Sequence, residues 1–423
     1  MIPITLADVR AAAPGELRVG RGGTVTAIEV DSRGVAPGAL FVAVGGGVAF
    51  VDDALAAGAA AALVPDDAFG ALAALASLVR GRSDATVVAI TGSVGKTSTK
   101  DILAALARPV ASTVAAADGH NNEVGLPLTL FRIEPGTEVV VTEMGMRGLG
   151  QIAALAAVAR PHVGVITSIA PVHLGLLGSI ERVAQAKAEL IAALPAGATA
   201  VVPAGERLLE PYRRDDVETI RFGDGGDVRL VAFEPPLLVA DVGGERVELE
   251  VPFTAEHQAR NTLPALAAYR AAGLPLDRAA EGASAIAFSR WRGEEHDLPG
   301  GGLLINDAWN ANPVSMVAAL RYLHARAGDR RPLAVLGEMA ELGPAAPAYH
   351  RAVGAAAADL GLEVVAVGNG LAREYGGTLV ASVDDAVSAV RERLGDRRVV
   401  LVKASRAAGL ERVAAALVAE AAD

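Results

Sequence analysis

Short apolar runs, each closed by glycine or a polar cluster, alternate along this chain with longer stretches in which apolar residues return every third or fourth position. The first pattern predicts buried strands and the second helices with one packed face. Their alternation predicts an α/β fold built on parallel, doubly wound sheets. GTVTAIEVDSRGVAPGALFVAV supplies two β-like runs around the turn Pro37-Gly38, and VDDALAAGAAAALVPDDA reads as a helix, a glycine stop and a short strand. Thr86–Ile90, Glu138–Glu143 and His162–Ser168 read as strands; Ser179–Leu194 reads as a helix capped by Ser179 and stopped by Pro195. Residues 227–253 break the alternation and read as antiparallel β-structure with Gly243-Gly244 as the hairpin turn. Helices are expected over Glu256–Ala272 and Asp277–Ala287. After the turn Pro299–Gly302, the runs LLIN, PLAVLG, EVVAVG and VVLVKAS are strands, and Pro313–Ala325 is a helix entered at Asn312-Pro313. The expected division is a small N-terminal α/β domain over residues 1–82, a central domain over 83–297 and a C-terminal Rossmann-like domain over 298–423. That last unit lacks Gly-x-Gly-x-x-Gly after its strands, so no dinucleotide is assigned to it.

Composition narrows the class. A chain of 423 residues exceeds one ordinary core, in line with two or three domains. The absence of cysteine excludes disulfides, thiolate nucleophiles and cysteine zinc sites, and agrees with a cytoplasmic location. A formal charge of −11 argues against nucleic acid as a partner, because phosphate contacts need a basic surface. No apolar run approaches the roughly 20 residues of a membrane span, and MIPITLADVRAAAPG reads as no signal peptide.

The stretch AITGSVGKTSTKDIL carries the strongest chemical signal. A strand enters a glycine-rich turn, Gly92, Ser93, Val94 and Gly95, and a helix begins at Lys96, Thr97 and Ser98. Backbone N–H groups of such a turn close around phosphate oxygens, the lysine brings a positive charge and the threonine hydroxyl faces magnesium. The pattern departs from the full phosphate loop at Ile90, where a glycine is usual. Glu143 ends a strand, where an acid holds magnesium or is simply solvated. His173 in an apolar loop and Lys187 within a helix read equally well as structural residues. The turn Asp31-Ser32-Arg33 is either a surface charge pair or a grip on an anionic ligand. Asn121-Asn122-Glu123 is ordinary loop chemistry or a hold on a polar substrate. Asn261, on the same helix face as His257, suits an adenine edge or a plain surface; Arg290 and Arg292 precede the third unit, and Asp307 ends its first strand.

Taken together and in order, DSRGVAPGALFVAV, TGSVGKTSTK, NNEVGLPLTL, TEMGM, VHLGLLGSIERVAQAKAEL, EHQARNTLPALAA, NDAWNANPVSM, VLGEMAELG with His350 after it, and LVKASR resemble the Mur ligases, the ATP-dependent amide-forming enzymes of peptidoglycan synthesis. The resemblance covers nearly the whole chain. It implies a three-domain ligase with a central ATPase domain, using ATP and two Mg2+ ions, monomeric and cytoplasmic, with UDP-MurNAc-tripeptide and D-Ala-D-Ala as substrates. A carboxylate would be phosphorylated to an acyl phosphate, which the amine then attacks. The resemblance gives Lys96 to the β- and γ-phosphates, and Thr97, Glu143, His173 and a carbamylated Lys187 to magnesium. It gives Asn261 to adenine, Asp307 to ribose and Arg292 to the phosphates. Substrate contacts fall on Ser32, Arg33, Asn122, Asn310, Asn312, Lys403, Ser405 and Arg406. The chain also departs from the family: GVAFVDDAL is shorter than the family's Asp-Gly-His-containing segment, Ser98 stands where a threonine is common, Arg147 and Gln151 replace asparagine and glutamate, Trp309 replaces a tyrosine, and Ala404 replaces a glycine. They leave open a paralogue joining another acid and amine. A non-catalytic nucleotide-binding regulator and a simple kinase are the readings from other classes.

Overall fold

The computed structural model describes residues 1–368, 370–394 and 397–421 and is a mixed α/β structure. Its backbone divides into two compact units. The first comprises Met1–Ser168, Ala184–Thr254 and Ala259–Ala287; the second comprises Ile169–Val183, Ala255–Gln258 and the residues from Phe288 on.

The first unit carries the nine-stranded sheet that positions the phosphate-loop segment. From one edge the strands run Glu245–Glu250, Leu237–Val242, Val228–Glu234, Glu218–Phe222, Thr199–Pro203, Val163–Ile166, Thr86–Thr91, Val139–Glu143 and Thr113–Ala115. Pairing is parallel from Glu218–Phe222 to Thr113–Ala115. Strands buried on both faces need continuous apolar runs, and TVVAIT and VVVTE supply them. The expected antiparallel stretch is present, with Gly243 and Gly244 at φ 64° and 92°, the backbone a tight hairpin turn requires. The segment expected as a helix over Asp277–Ala287 instead forms 3₁₀ turns over Leu276–Ala285. There Gly282 lies so close to the helix Lys96–Ala107 that a Cβ would stand 2.1 Å from the Ala105 carbonyl oxygen, and this packing overrides local helix propensity.

A four-stranded sheet in the same unit runs Gly15–Val19, Ala61–Pro65, Ala39–Val42, Ala27–Glu29. The two runs flanking Pro37-Gly38 pair in parallel, so the chain between them is a crossover carrying a 3₁₀ turn, Ser32–Gly34. The helix Ala68–Gly81 buries Leu72, Leu75, Ala76 and Val79, spaced three and four apart, against the helices Gly125–Leu130 and Gln151–Ala159. Buried Arg80 at its end donates from Nε to the Ala159 carbonyl at 2.9 Å.

The second unit holds a six-stranded sheet ordered Glu294–Leu298, Gly302–Asn306, Arg398–Lys403, Arg331–Gly337, Glu363–Val367, Thr378–Val380. Only its first pair is antiparallel. Helices cover both faces, one core gathering Met316, Leu320, Leu323 and Val353, the other Val387, Val390, Val413 and Leu417. Among the described residues no helix is long and apolar enough to cross a membrane.

Candidate functional site

The loop Gly92–Gly95 leaves the strand Thr86–Thr91 at the carboxyl end of the sheet. Ile90, where the longer motif has glycine, lies inside that strand and is fully buried, so the turn starts one residue later than the strand end. Gly92 adopts φ +148°, and a Cβ there would fall 1.9 Å from the Thr167 hydroxyl. Gly95 caps the helix at φ +87°, and a Cβ there would fall 2.5 Å from the Asn261 Oδ1. Both glycines are therefore fixed by close approach as well as by backbone shape. The Ser93 N–H donates to the Ser168 carbonyl, and the Val94 N–H to the Ser168 hydroxyl, each at 2.9 Å. The Thr167 hydroxyl donates to the Val94 carbonyl at 2.6 Å. The loop is thus braced by the neighbouring strand end, with the N-terminal turn of the helix Lys96–Ala107 above it, where backbone N–H groups have no helical acceptor and favour anions.

Register brings the next groups in. Ile90 stands opposite Glu143 and Thr91 opposite Ile166, so three strand ends finish level around the loop. Buried Glu143 accepts from the Thr97 hydroxyl at 2.7 Å and from the Asn121 amide at 2.9 Å. The Lys96 ammonium donates to the Gly92 carbonyl at 3.0 Å. Lys187, on the helix Ile180–Ala193, is 2% exposed. Burial, and then the Lys96 ammonium, hold its pKa well below the ordinary lysine value. Lys96, Thr97, Glu143, Lys187 and Asn261 all belong to the first unit. Among the described residues no group of three or more His, Asp or Glu side chains is placed to hold a metal. A magnesium site on these residues has to be made of other oxygens: the Thr97 hydroxyl, the Glu143 carboxylate and substrate phosphates. The lowered pKa of Lys187 favours its uncharged amine, the form that carbon dioxide converts to an oxygen donor.

His173 belongs to the second unit, at φ +55°, with its Nδ1 against the carboxylate of Glu341. In that unit Asp307 and Lys403 form an ion pair at 2.5 Å; the lysine is 2% exposed and also donates to the Asn310 carbonyl at 3.0 Å. The Ser405 hydroxyl accepts from the Ala340 N–H at 2.9 Å. Asn312 caps the helix Pro313–Ala327 through the Ser315 N–H at 3.0 Å, and Asn310 accepts from the next N–H along. Arg292 lies over the Trp309 ring and Arg406 over the Trp291 ring, at 5.3 and 4.5 Å. The Arg292 Nε is buried with no hydrogen-bond partner among the described residues. A cavity of about 580 Å³ opens at the carboxyl ends of this sheet, lined by Glu338, Gly368, Ser382, Ser405 and Arg412.

In the N-terminal turn, Asp31 accepts from the Arg33 side chain and backbone, which lowers its pKa to about 2 and leaves Ser32 between them on the surface. A second cavity, about 530 Å³, lies between the strands Ala27–Glu29 and Thr113–Ala115 and is lined by Glu29, His120 and Arg132. Burial raises the Glu29 carboxyl and lowers the His120 imidazole. Sequence reasoning chose Asn122, whose amide oxygen is turned to the Gly125 N–H at 2.9 Å; the neighbouring Asn121 is the one that reaches Glu143. Two adjacent asparagines in a loop give no sequence signal for which faces inward. Glu338 and Glu341 were likewise legible only as part of VLGEMAELG.

A family model described as the Mur ligase middle domain matches residues 90–269, and one described as Mur ligase, glutamate ligase domain, matches residues 291–406. The chain is 37% identical over 401 residues to the UDP-N-acetylmuramoyl-tripeptide–D-alanyl-D-alanine ligase of Mycobacterium tuberculosis strain H37Rv, covering 86% of this chain and 78% of that protein. It is 31% identical over 453 residues to the ligase of the same description from Escherichia coli K12, covering 99% of each. Among solved structures, a crystal structure of MurF from Acinetobacter baumannii matches with a TM-score of 0.89 at 27% identity over 99% of both chains. MurF ligase from Thermotoga maritima in complex with ADP matches with a TM-score of 0.81 at 26% identity, over 93% of this chain and 97% of that one.

Proposed function

This chain belongs to the Mur ligase family, and on that premise we propose that it joins D-alanyl-D-alanine to a UDP-N-acetylmuramoyl-tripeptide with hydrolysis of ATP, a step of peptidoglycan precursor synthesis. The observation that carries the reading is one constellation in the first unit. A glycine turn and helix N-terminus lie beside Lys96, the Thr97–Glu143 hydrogen bond marks an oxygen-rich corner, and a buried lysine with a depressed pKa stands near Lys96.

The chemistry follows from what each group can do. A peptide carboxylate has no leaving group, so the γ-phosphoryl group of ATP is transferred to a carboxylate oxygen. The amine then attacks the acyl carbon and phosphate departs. The first step brings two anions together, and Lys96 with the helix N-terminus offsets their repulsion. Thr97, Glu143 and a carbamylated Lys187 are the first-unit residues we assign to magnesium; the ion supplies charge neutralisation on the triphosphate when bound. His173 is assigned to magnesium by the resemblance alone; within the second unit its Nδ1 meets the Glu341 carboxylate. Asn261, beside Gly95, is assigned to the adenine, and Asp307 and Arg292 to the ribose and phosphates.

We assign the nucleotide-sugar to residues 1–82, near Ser32 and Arg33, the ATP chemistry to residues 83–297, and the amine to residues 298–423. The Ser405-lined cavity suits a small zwitterion, having a carboxylate, a guanidinium and two hydroxyls on its wall. We take the enzyme to act as a cytoplasmic monomer. The test is ATP-dependent phosphate release from the purified chain offered UDP-MurNAc-tripeptide and D-Ala-D-Ala. Release that requires both substrates is expected; release with another acid but not with this pair refutes the substrate assignment.

A further inference from the structure

Glu338 follows the strand Arg331–Gly337 and turns its carboxylate to the cavity it lines with Gly368, Ser382, Ser405 and Arg412. Glu338 Oε1 lies beside Gly368 and Gly370, 3.7 and 3.9 Å from where a Cβ on each would stand, so only glycine backbone borders it on that side. No described side chain hydrogen-bonds to this half-buried carboxylate or forms an ion pair with it. A partly desolvated anion in a cleft is a strong site for a cationic hydrogen-bond donor.

The backbone that carries Glu338 is held from beneath. The Met339 N–H donates to His350 Nε2 at 3.0 Å, and the His350 Nδ1–H donates to the Ala346 carbonyl at 2.7 Å. These two bonds fix the ring's tautomer, and His350 is fully buried. Its ring packs on Tyr375 with centroids 4.9 Å apart, and the Tyr375 hydroxyl donates to the Gly337 carbonyl at 2.9 Å. On the other side the Ser405 N–H donates to the Glu338 carbonyl at 3.1 Å, and the Ala340 N–H to the Ser405 hydroxyl at 2.9 Å. Residues 337–340 are therefore each held at one backbone group. These bonds fix where the Glu338 side chain starts.

We propose that Glu338 binds the ammonium group of the incoming dipeptide and that His350 is a positioning residue, acting on Glu338 through the Met339 N–H. This rests on the assignment of the second unit's cavity to the amine substrate. The Arg412 guanidinium stands on the same wall for the dipeptide's carboxylate. Holding the ammonium places the nitrogen before its proton is lost, so the contact governs capture of the amine and not formation of the acyl phosphate.

The experiment separates those half-reactions in the full-length protein. Hydroxylamine traps acyl phosphate as a hydroxamate from acid and ATP alone; phosphate release at varied D-Ala-D-Ala reports the amine step. Glu338→Gln is expected to raise the KM for D-Ala-D-Ala about tenfold or more, the loss of one charge-assisted hydrogen bond. Hydroxamate yield and the KM for ATP should stay within about twofold. His350→Ala should shift the same KM, and His350→Gln, whose amide oxygen can accept from the Met339 N–H, should restore much of it. A wild-type KM in Glu338→Gln, or a hydroxamate yield that falls with the amine step, overturns the proposal. Should the unmodified protein form hydroxamate but never consume D-Ala-D-Ala, the substrate assignment itself has failed, and that is read without any variant.

Discussion

Replacing Gly92 by alanine tests whether the loop is set by close packing as well as by its sequence pattern. The added Cβ would lie 1.9 Å from the Thr167 hydroxyl and 3.0 Å from the Thr167 backbone nitrogen, at a φ of +148° that side chains rarely adopt. The nitrogen is itself held, donating to the Thr91 carbonyl at 2.9 Å, so the hydroxyl must yield. Turning it away gives up the 2.6 Å bond to the Val94 carbonyl, worth about 1 kcal/mol net. Backbone strain adds roughly 1–3 kcal/mol. The sum, about 2–4 kcal/mol, corresponds to a melting temperature roughly 5–10 °C lower for the first unit. Thermal unfolding followed by circular dichroism measures the first effect, and calorimetric titration with a non-hydrolysable ATP analogue measures the second, a loss of affinity of at least about tenfold as the loop N–H groups move. Thr167→Ala removes the offending oxygen, so Gly92→Ala should cost less in that background. If Gly92→Ala melts within about 1 °C of the parent and binds the analogue equally well, the packing account of the loop is wrong.

Other outcomes follow from the same geometry. The Lys187 pKa is lowered by burial and then by Lys96, so between its folded value and the ordinary 10.5 the unfolded chain binds more protons and stability rises with pH. Lys187→Met in carbon-dioxide-free buffer should therefore be more resistant to urea than the parent at neutral pH, with the gap narrowing toward pH 10.5; a gap independent of pH would contradict this. Lys403→Met leaves the Asp307 carboxylate without its buried cation and should cost about 2–4 kcal/mol in urea unfolding, less than a fully buried pair because Asp307 keeps some solvent. Tyr375→Phe removes the hydroxyl that donates to Gly337 and should cost about 1–2 kcal/mol, visible as a lower urea midpoint at unchanged slope.

What the order of residues settled by itself was local. Runs such as TVVAIT and VVVTE read as strands buried on both faces, Asn312-Pro313 starts a helix, Gly243-Gly244 turns a hairpin, and the loop before Lys96 announces phosphate chemistry, because each depends on neighbours a few residues away. Folding decided which of those residues meet. Strand register put Glu143 level with the loop, and helix packing buried Lys187 near Lys96; neither contact is local. Folding also chose Asn121 over Asn122, joined Lys403 to Asp307, and set His350 beneath Glu338. In a loop no fixed periodicity sets which way a side chain points, and burial changes the charge a side chain can carry. Both depend on what packs opposite, so neither is written in the spacing of the chain.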